Sequence, residues 1–129
     1  MCPSEATPQG FAGFAGVEWL DTGPEEASAR VAVSEHHKQP YGFVHGGVYA
    51  TLAESVASRA TAMQGEGKAA LGMSNNTTFI RPITEGHVNA LARLRHGGRT
   101  TMIWDVEMSD DEGRLCALSR MTVAVRELT

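Results

Sequence analysis

A glycine pair followed by one carboxylate is the part of this sequence whose residue types and spacing could do chemistry. Gly46 and Gly47 stand at the predicted start of a helix, and Glu54 lies about two turns further along. The first N–H groups of a helix have no intrahelical partner and carry a partial positive charge, so they can stabilise negative charge that develops on a carbonyl oxygen. The spacing therefore combines a potential oxyanion site with a carboxylate on the same helix.

The helix that would position these groups is predicted from residue 46 to about residue 63. The pattern ends before Gly65 and Gly67. Glu54 falls nearly opposite the apolar stripe on a helical wheel of about 100° per residue, and Ser58 lies one turn further along the same side. From the helix pattern alone, Glu54 is a solvated carboxylate on an exposed face. The stripe has the i, i+4, i+8 spacing of an amphipathic helix and consists of Val48, Leu52 and Val56.

Six predicted strands account for most of the remaining sequence. Alternating apolar residues and an intervening turn predict an opening hairpin, formed by residues 17–20 and 27–33. The sequence therefore predicts an α+β fold of a hairpin, one long helix and an antiparallel meander, in which about six strands curl around the helix. The four strands after the helix are predicted at residues 69–79, 87–94, 100–108 and 115–125.

Length and composition indicate one domain. The chain has 129 residues, of which 42% are hydrophobic, and this is enough for one hydrophobic core. Residues 1–10 mix Pro, Ser, Thr and Gly without periodicity. They are predicted to form a flexible and dispensable segment before a single domain at residues 11–129.

The charge and cysteine content argue against several partners and compartments. The formal net charge is −4 and the basic residues form no run, which argues against nucleic acid or an anionic membrane surface as the main partner. No apolar run approaches the ~20 residues of a membrane span, and the N-terminus lacks the regions of a signal peptide. Only Cys2 and Cys116 occur, which fits a reducing compartment better than a disulfide framework. We therefore expect a soluble cytoplasmic protein.

Seven short motifs follow one another along the sequence: His45-Gly46-Gly47, Leu52-Ala53-Glu54, Ser74-Asn75-Asn76-Thr77, Phe79-Ile80-Arg81-Pro82, Glu85-Gly86-His87-Val88, Trp104-Asp105-Val106 and Gly113-Arg114-Leu115-Cys116-Ala117. This ordered series resembles the hotdog-fold acyl-CoA thioesterases. The likeness runs from about residue 27 to residue 126. It is strongest to the subgroup of 4-hydroxybenzoyl-CoA thioesterase of the Arthrobacter type, close to the 1,4-dihydroxy-2-naphthoyl-CoA hydrolases and the phenylacetate-pathway thioesterases.

This resemblance implies a hotdog fold, a reaction and an assembly. Two subunits would pair their sheets into one continuous surface, with each active site at the seam between them, and the homodimers are expected to form a homotetramer. Glu54 would be covered by the neighbouring chain and would attack the thioester carbonyl or activate a water. The backbone N–H of Gly46 would polarise the thioester oxygen. The implied substrate is an aromatic or otherwise bulky acyl-CoA, hydrolysed to the free acid and coenzyme A.

Three further residues match family positions near the reacting bond. The resemblance implies that His45 and Gln39 orient the thioester and the glycine loop, and that Ser58 holds the attacking water. The residues alone leave other roles open. His45 could cap the helix, Gln39 could be an ordinary loop residue before Pro40, and Ser58 could bond back to a carbonyl of the previous turn.

The resemblance also implies which residues recognise coenzyme A. Arg81 aligns with an arginine that contacts a phosphate, since guanidinium groups bind phosphates well. The turn that contains Arg99 and Thr100 resembles another contact on the nucleotide side, although relatives often have a small hydroxyl residue where this chain has Arg99. From the residues alone, either arginine could be a solvated charge at a strand end.

Other chemistries lack the residues that they need. His36, His37 and His45 come with no cysteine or carboxylate spacing that completes a metal site, so no metal is predicted. No resident cofactor is predicted either, because coenzyme A is part of the substrate. The competing function is a non-catalytic acyl-CoA-binding module of the same fold. The acyl group stays open, since several residues could line a pocket or belong to the core: Phe43, Tyr49, Met63, Met73 and Phe79.

Overall fold

One long helix packed against a curved antiparallel sheet dominates the computed structural model, which describes residues 9–65 and 67–127. The predicted α+β architecture is confirmed, and the sheet, which is not closed, has the order β1-β2-β4-β5-β6-β3. The elements are α1 (Gly10–Phe14), β1 (Val17–Thr22), β2 (Glu26–Ala32), a 3₁₀ turn (Glu35–His37), α2 (Gly46–Ala62), β3 (Lys68–Phe79), β4 (His87–Gly97), β5 (Thr101–Ser109) and β6 (Leu115–Glu127).

The core lies between α2 and the concave face of the sheet. Val48, predicted to belong to the apolar stripe, is only half-buried, because the buried face of the helix is centred on the neighbouring line that begins at Tyr49. Three of the buried residues are alanines, and their small side chains let the strands approach the helix closely. The buried residues of α2 are Tyr49, Leu52, Ala53, Val56, Ala57, Ala60 and Thr61.

The strand neighbours differ from the predicted meander. Strands β4, β5 and β6 are consecutive neighbours, but β3 pairs with β6 and β4 pairs with β2. After β3 the chain crosses the start of α2, and the Val44 N–H donates to the Ile83 carbonyl there at 2.9 Å. The chain then reaches the end of β2, and the Val33 N–H donates to the Gly86 carbonyl at 2.8 Å. Alternating residues predict that a segment is a strand but do not predict its neighbour, so the meander prediction was wrong for β3.

Strand β3 therefore forms one edge of the sheet, and its inner face is tied to the N-terminal half of α2. The Asn75 side-chain N–H₂ donates to the Ala50 carbonyl at 2.9 Å. Its side-chain oxygen accepts from the hydroxyls of Thr77, at 2.6 Å, and Ser119, at 3.4 Å. A register shift between Gly72 and Ser74 interrupts the pairing with β6. The edge strand is thus anchored on the helix, although its outer edge pairs with no strand in the described part of the chain.

A buried hydrogen bond between the helix and the sheet gives a test of the core. The Trp104 indole N–H donates to the Thr61 hydroxyl at 2.9 Å, and both residues are buried, at 0% and 3% exposure. Thr61→Val keeps the side-chain shape but leaves the indole N–H without an acceptor. We expect the free energy of unfolding to fall by about 1–3 kcal/mol, measured by urea denaturation. An unchanged midpoint would show that this bond contributes nothing to stability.

Some sequence predictions concern the ends of the chain. The predicted flexible segment and Cys2 lie mostly or wholly outside the described residues, which begin at Gln9. Helix α1 was not predicted.

Cys116 is buried and unpaired, and burial raises the pKa of its thiol. In the part of the chain that the structure describes, no helix combines the length and apolar character needed to cross a membrane.

Candidate active site

A cleft of about 370 Å³ opens at the start of α2. Its size is in the range of small-molecule sites. It brings together three of the predicted catalytic and coenzyme A-binding residues, namely Gln39, Gly46 and Arg81. Three of the five possible pocket residues also line it, namely Phe43, Tyr49 and Phe79, whereas Met63 and Met73 do not. The complete lining is Gln39, Phe43, Val44, Gly46, Tyr49, Phe79, Ile80, Arg81 and Pro82.

The start of the helix presents one uncommitted backbone donor to this cleft. His45 is the N-cap residue, and its Nδ1 accepts from the Gly47 N–H at 2.8 Å, so the proton of a neutral ring lies on Nε2. The Gly46 N–H, in contrast, donates to no group among residues 9–65 and 67–127. Gly46 therefore offers its N–H, together with the helix dipole, to a bound ligand.

An aromatic ring fixes the space next to Gly46. A Cβ atom on Gly46 would lie 2.8 Å from Cζ of Phe79, so the tip of this ring occupies the volume that a side chain would need. The Phe79 ring also packs against Tyr49, with centroids 5.7 Å apart. Burial raises the pKa of Tyr49 to about 12, so the phenol in the cleft stays neutral at physiological pH. Only glycine fits at position 46 while Phe79 keeps this position.

The loop before α2 holds Gln39 at the edge of the cleft. The Gln39 N–H donates to the Phe43 carbonyl at 2.8 Å, which closes the loop. The side-chain oxygen of Gln39 accepts from the Tyr41 N–H. That bond uses the acceptor of the side chain and leaves its NH₂ group as the donor for a ligand.

His37 anchors this loop, a role that the sequence analysis missed. His37 is buried, its Nδ1 accepts from the Ser34 N–H at 3.0 Å, and its Nε2 lies 2.6 Å from the Ala15 carbonyl oxygen. Its own carbonyl accepts from the His45 N–H at 2.8 Å. Both ring nitrogens are thus occupied by backbone groups. The Ser34-x-x-His37 spacing of a capping box was the available clue.

Glu54 and Ser58 lie outside the cleft. Glu54 lies eight residues after Gly46 in the helix, which corresponds to roughly 12 Å along the axis. The Glu54 side chain is exposed and lies over Gly72 of β3, and it makes no hydrogen bond or ion pair with any described residue. Ser58 is half-buried and also lacks a hydrogen bond within the described ranges, whereas Ser55 bonds back to the Thr51 carbonyl at 2.7 Å. One chain therefore does not bring Glu54 to Gly46.

The two arginines predicted to bind coenzyme A lie at opposite ends of the sheet. The Arg81 N–H donates to the Cys116 carbonyl at 3.1 Å, near the start of β6, and the guanidinium group forms no ion pair in the described part of the chain. Exposed Arg99 precedes Thr100, whose carbonyl accepts from the Val125 N–H at 2.9 Å near the end of β6. Val125 lies nine residues after Cys116 along β6, a distance of roughly 30 Å. In a single chain the two arginines are thus anchored near opposite ends of β6.

Comparisons with known proteins identify similar sequences and structures. The profile of the family described as "Thioesterase superfamily" matches residues 41–117. The 1,4-dihydroxy-2-naphthoyl-CoA hydrolase of Escherichia coli (strain K12) is 34% identical over 114 residues, which cover 88% of this chain and 84% of that protein.

Solved structures are similar over comparable lengths. A thioesterase from Haemophilus influenzae superimposes with a TM-score of 0.84 at 34% identity, covering 88% of this chain and 80% of that one. A variant of a thioesterase from Pseudomonas aeruginosa gives a TM-score of 0.85 at 32% identity, covering 89% of this chain and 84% of that one.

Proposed function

This chain belongs to the thioesterase superfamily and is a thioester hydrolase with the hotdog fold, and from that premise we propose that it hydrolyses an aromatic or otherwise bulky acyl-CoA. The observation that carries the proposal is the uncommitted Gly46 N–H beside the aromatic side chains of Tyr49 and Phe79. A relative named as a hydrolase of an aromatic acyl-CoA supports this substrate class. The broader family resemblance does not by itself select 4-hydroxybenzoyl-CoA.

We assign the chemical roles as follows. The thioester oxygen accepts from the Gly46 N–H, which stabilises the negative charge that forms when the carbonyl is attacked. Glu54 acts as the nucleophile or as the base that takes a proton from water. On either route the C–S bond breaks, the sulfur leaves as the thiol of coenzyme A, and water supplies the oxygen of the free acid. No metal and no resident cofactor takes part.

The Glu54 that completes each site comes from a second copy of the chain. Strand β3 is a long edge strand with exposed apolar residues, including Leu71 at 54% and Met73 at 63%, and such an edge favours pairing with another strand. Antiparallel pairing of two β3 strands would bring the Gly72 half of one strand alongside the Phe79 half of the other. The Glu54 carboxylate of one protomer would then lie toward the Gly46 N–H of its partner.

The same pairing gives roles to the remaining predicted residues. It would bring the Arg99 and Thr100 end of one sheet toward the Arg81 end of the other, so that both ends can contact one coenzyme A molecule. His45 fixes the start of α2 through its cap, Gln39 donates its NH₂ group to the thioester, and Ser58 holds the attacking water beside Glu54. Two such dimers would join into a homotetramer.

Release of free thiol from a panel of acyl-CoA esters tests this function. The panel should contain benzoyl-, hydroxybenzoyl-, phenylacetyl-, naphthoyl- and linear acyl-CoA esters, with the thiol followed by a chromogenic disulfide. We expect turnover with a higher kcat/KM for the aryl esters. Binding of these esters without thiol release from any of them would contradict the proposal, and full activity of a monomer in light scattering would contradict the shared site.

A further inference from the structure

We propose that Gly72 is a positioning residue for Glu54: the missing side chain at position 72 leaves room for the Glu54 carboxylate to lie flat against β3. This inference rests on the proposed function, because it concerns the carboxylate that we assign to the reaction. Nothing in the family resemblance or in the sequence pattern selects Gly72 for such a role.

A side chain at position 72 would collide with the Glu54 carboxylate. A Cβ atom built on Gly72 would lie 2.9 Å from Oε2, 3.2 Å from Cδ and 3.5 Å from Cγ of Glu54. Non-bonded carbon atoms are normally separated by about 3.5–4.0 Å. A methyl group at position 72 would therefore occupy the space of the carboxylate and would move it away from the strand.

The backbone conformation does not explain the glycine. Gly72 pairs in register with Val123 of β6, and its φ angle is not positive, so other residues could adopt its backbone conformation. Glycine in a strand contributes no side-chain packing and carries an entropic cost. The nearby Glu54 side chain supplies a reason for glycine at this position that the backbone does not.

Nothing else in the described chain holds the carboxylate. Glu54 has no hydrogen bond and no ion pair within residues 9–65 and 67–127, so its position depends on packing against β3. The register shift between Gly72 and Ser74 lies beside this contact and changes which face the following side chains occupy. The contact thus lies on the half of β3 that would face the partner's Phe79 half.

Displacement of the carboxylate should affect turnover more than binding. A shift of about 1 Å in a reacting group can lower a rate by about 100-fold. We therefore expect Gly72→Ala to lower kcat by about 10- to 100-fold and to leave KM for the same acyl-CoA nearly unchanged. The melting temperature and the oligomeric state should stay those of the wild type, because the displaced atoms belong to the end of a flexible side chain.

A double-mutant cycle with Glu54→Ala separates positioning from a general structural effect. If Gly72 acts through Glu54, Gly72→Ala will cause no further loss of activity when Glu54 is already alanine. Gly65→Ala serves as the matched control, because Gly65 also lacks a positive φ and a Cβ there would meet no atom within 4 Å. This control should keep the wild-type kcat and KM.

Each outcome has a defined meaning. Wild-type kcat in Gly72→Ala, an equal loss in the Glu54→Ala background, or a destabilised or dissociated Gly72→Ala protein would overturn the inference while the proposed function stands. A wild-type enzyme that releases no thiol from any ester would instead overturn the proposed function. Full activity of Glu54→Ala would remove the catalytic role on which both statements depend.

Discussion

Replacement of Glu54 by glutamine is expected to lower kcat for acyl-CoA hydrolysis by about 10²- to 10⁴-fold. Glutamine keeps the size of the side chain but can neither attack the carbonyl as a carboxylate nor accept a proton from water. Because glutamine matches glutamate in size and the proposed coenzyme A contacts of Arg81, Arg99 and Thr100 are unchanged, KM for the acyl-CoA should change little. Steady-state thiol release at saturating substrate measures the effect.

Stability measurements and a surface control make this result specific. Because Glu54 forms no hydrogen bond or ion pair with the described residues, Glu54→Gln should change the free energy of unfolding by less than about 0.5 kcal/mol. Glu25→Gln alters another exposed carboxylate, in the β1–β2 turn, and should retain wild-type kcat. Wild-type turnover by purified Glu54→Gln would exclude Glu54 as the nucleophile or base.

The second large effect is expected at Gly46. Two substitutions there distinguish the contribution of the N–H donor to kcat from the effect of filling the space next to Phe79. Gly46→Ala keeps the N–H but adds a methyl group toward Phe79, whereas Gly46→Pro also removes the donor. Proline is well tolerated at the first position of a helix, and His45, with φ −64° and ψ 140°, has the extended conformation that a following proline requires. We expect Gly46→Pro to have a kcat about 10²- to 10³-fold below that of Gly46→Ala.

The alanine variant is the control for this comparison. Both substitutions displace the Phe79 ring, so their difference reports the hydrogen bond to the thioester oxygen. Adding Phe79→Leu to each variant reduces the collision with the ring at position 79 that both variants share. The ratio of kcat between the Gly46→Ala and Gly46→Pro proteins should stay large. Equal kcat values for Gly46→Ala and Gly46→Pro would show that this N–H does not stabilise the transition state.

The sequence predicted the individual elements of this fold because each has a local pattern. The helix predicted at residues 46–63 is Gly46–Ala62, and the predicted strand at 69–79 is Lys68–Phe79. The neighbour of β3 was not predictable in this way. It depends on the path of residues 80–86 across the start of α2, which is fixed by long-range bonds such as that from Val44 to Ile83.

The candidate site likewise contains one residue that a local pattern predicts and several contacts that no local pattern predicts. Gly46 was found from its position at a helix start, which is a local property of the chain. The bond between His37 Nε2 and the Ala15 carbonyl and the approach of Phe79 to Gly46 join residues far apart in sequence, and composition or periodicity cannot reveal them. Glu54 was expected on an exposed face, and it is exposed in the single chain. Its proposed partner lies in another molecule, which no single-chain pattern describes.

The roughly 12 Å of helix between Gly46 and Glu54 has a consequence for mixtures of defective enzymes. If each centre takes its amide from one polypeptide and its acid from the other, a Glu54→Gln chain and a Gly46→Pro chain can complement each other. A heterodimer of the two would regain one intact centre of its two, and random reassortment of equal amounts would restore about a quarter of the original rate. Genetic damage to either group alone could thus be masked by a differently damaged second copy.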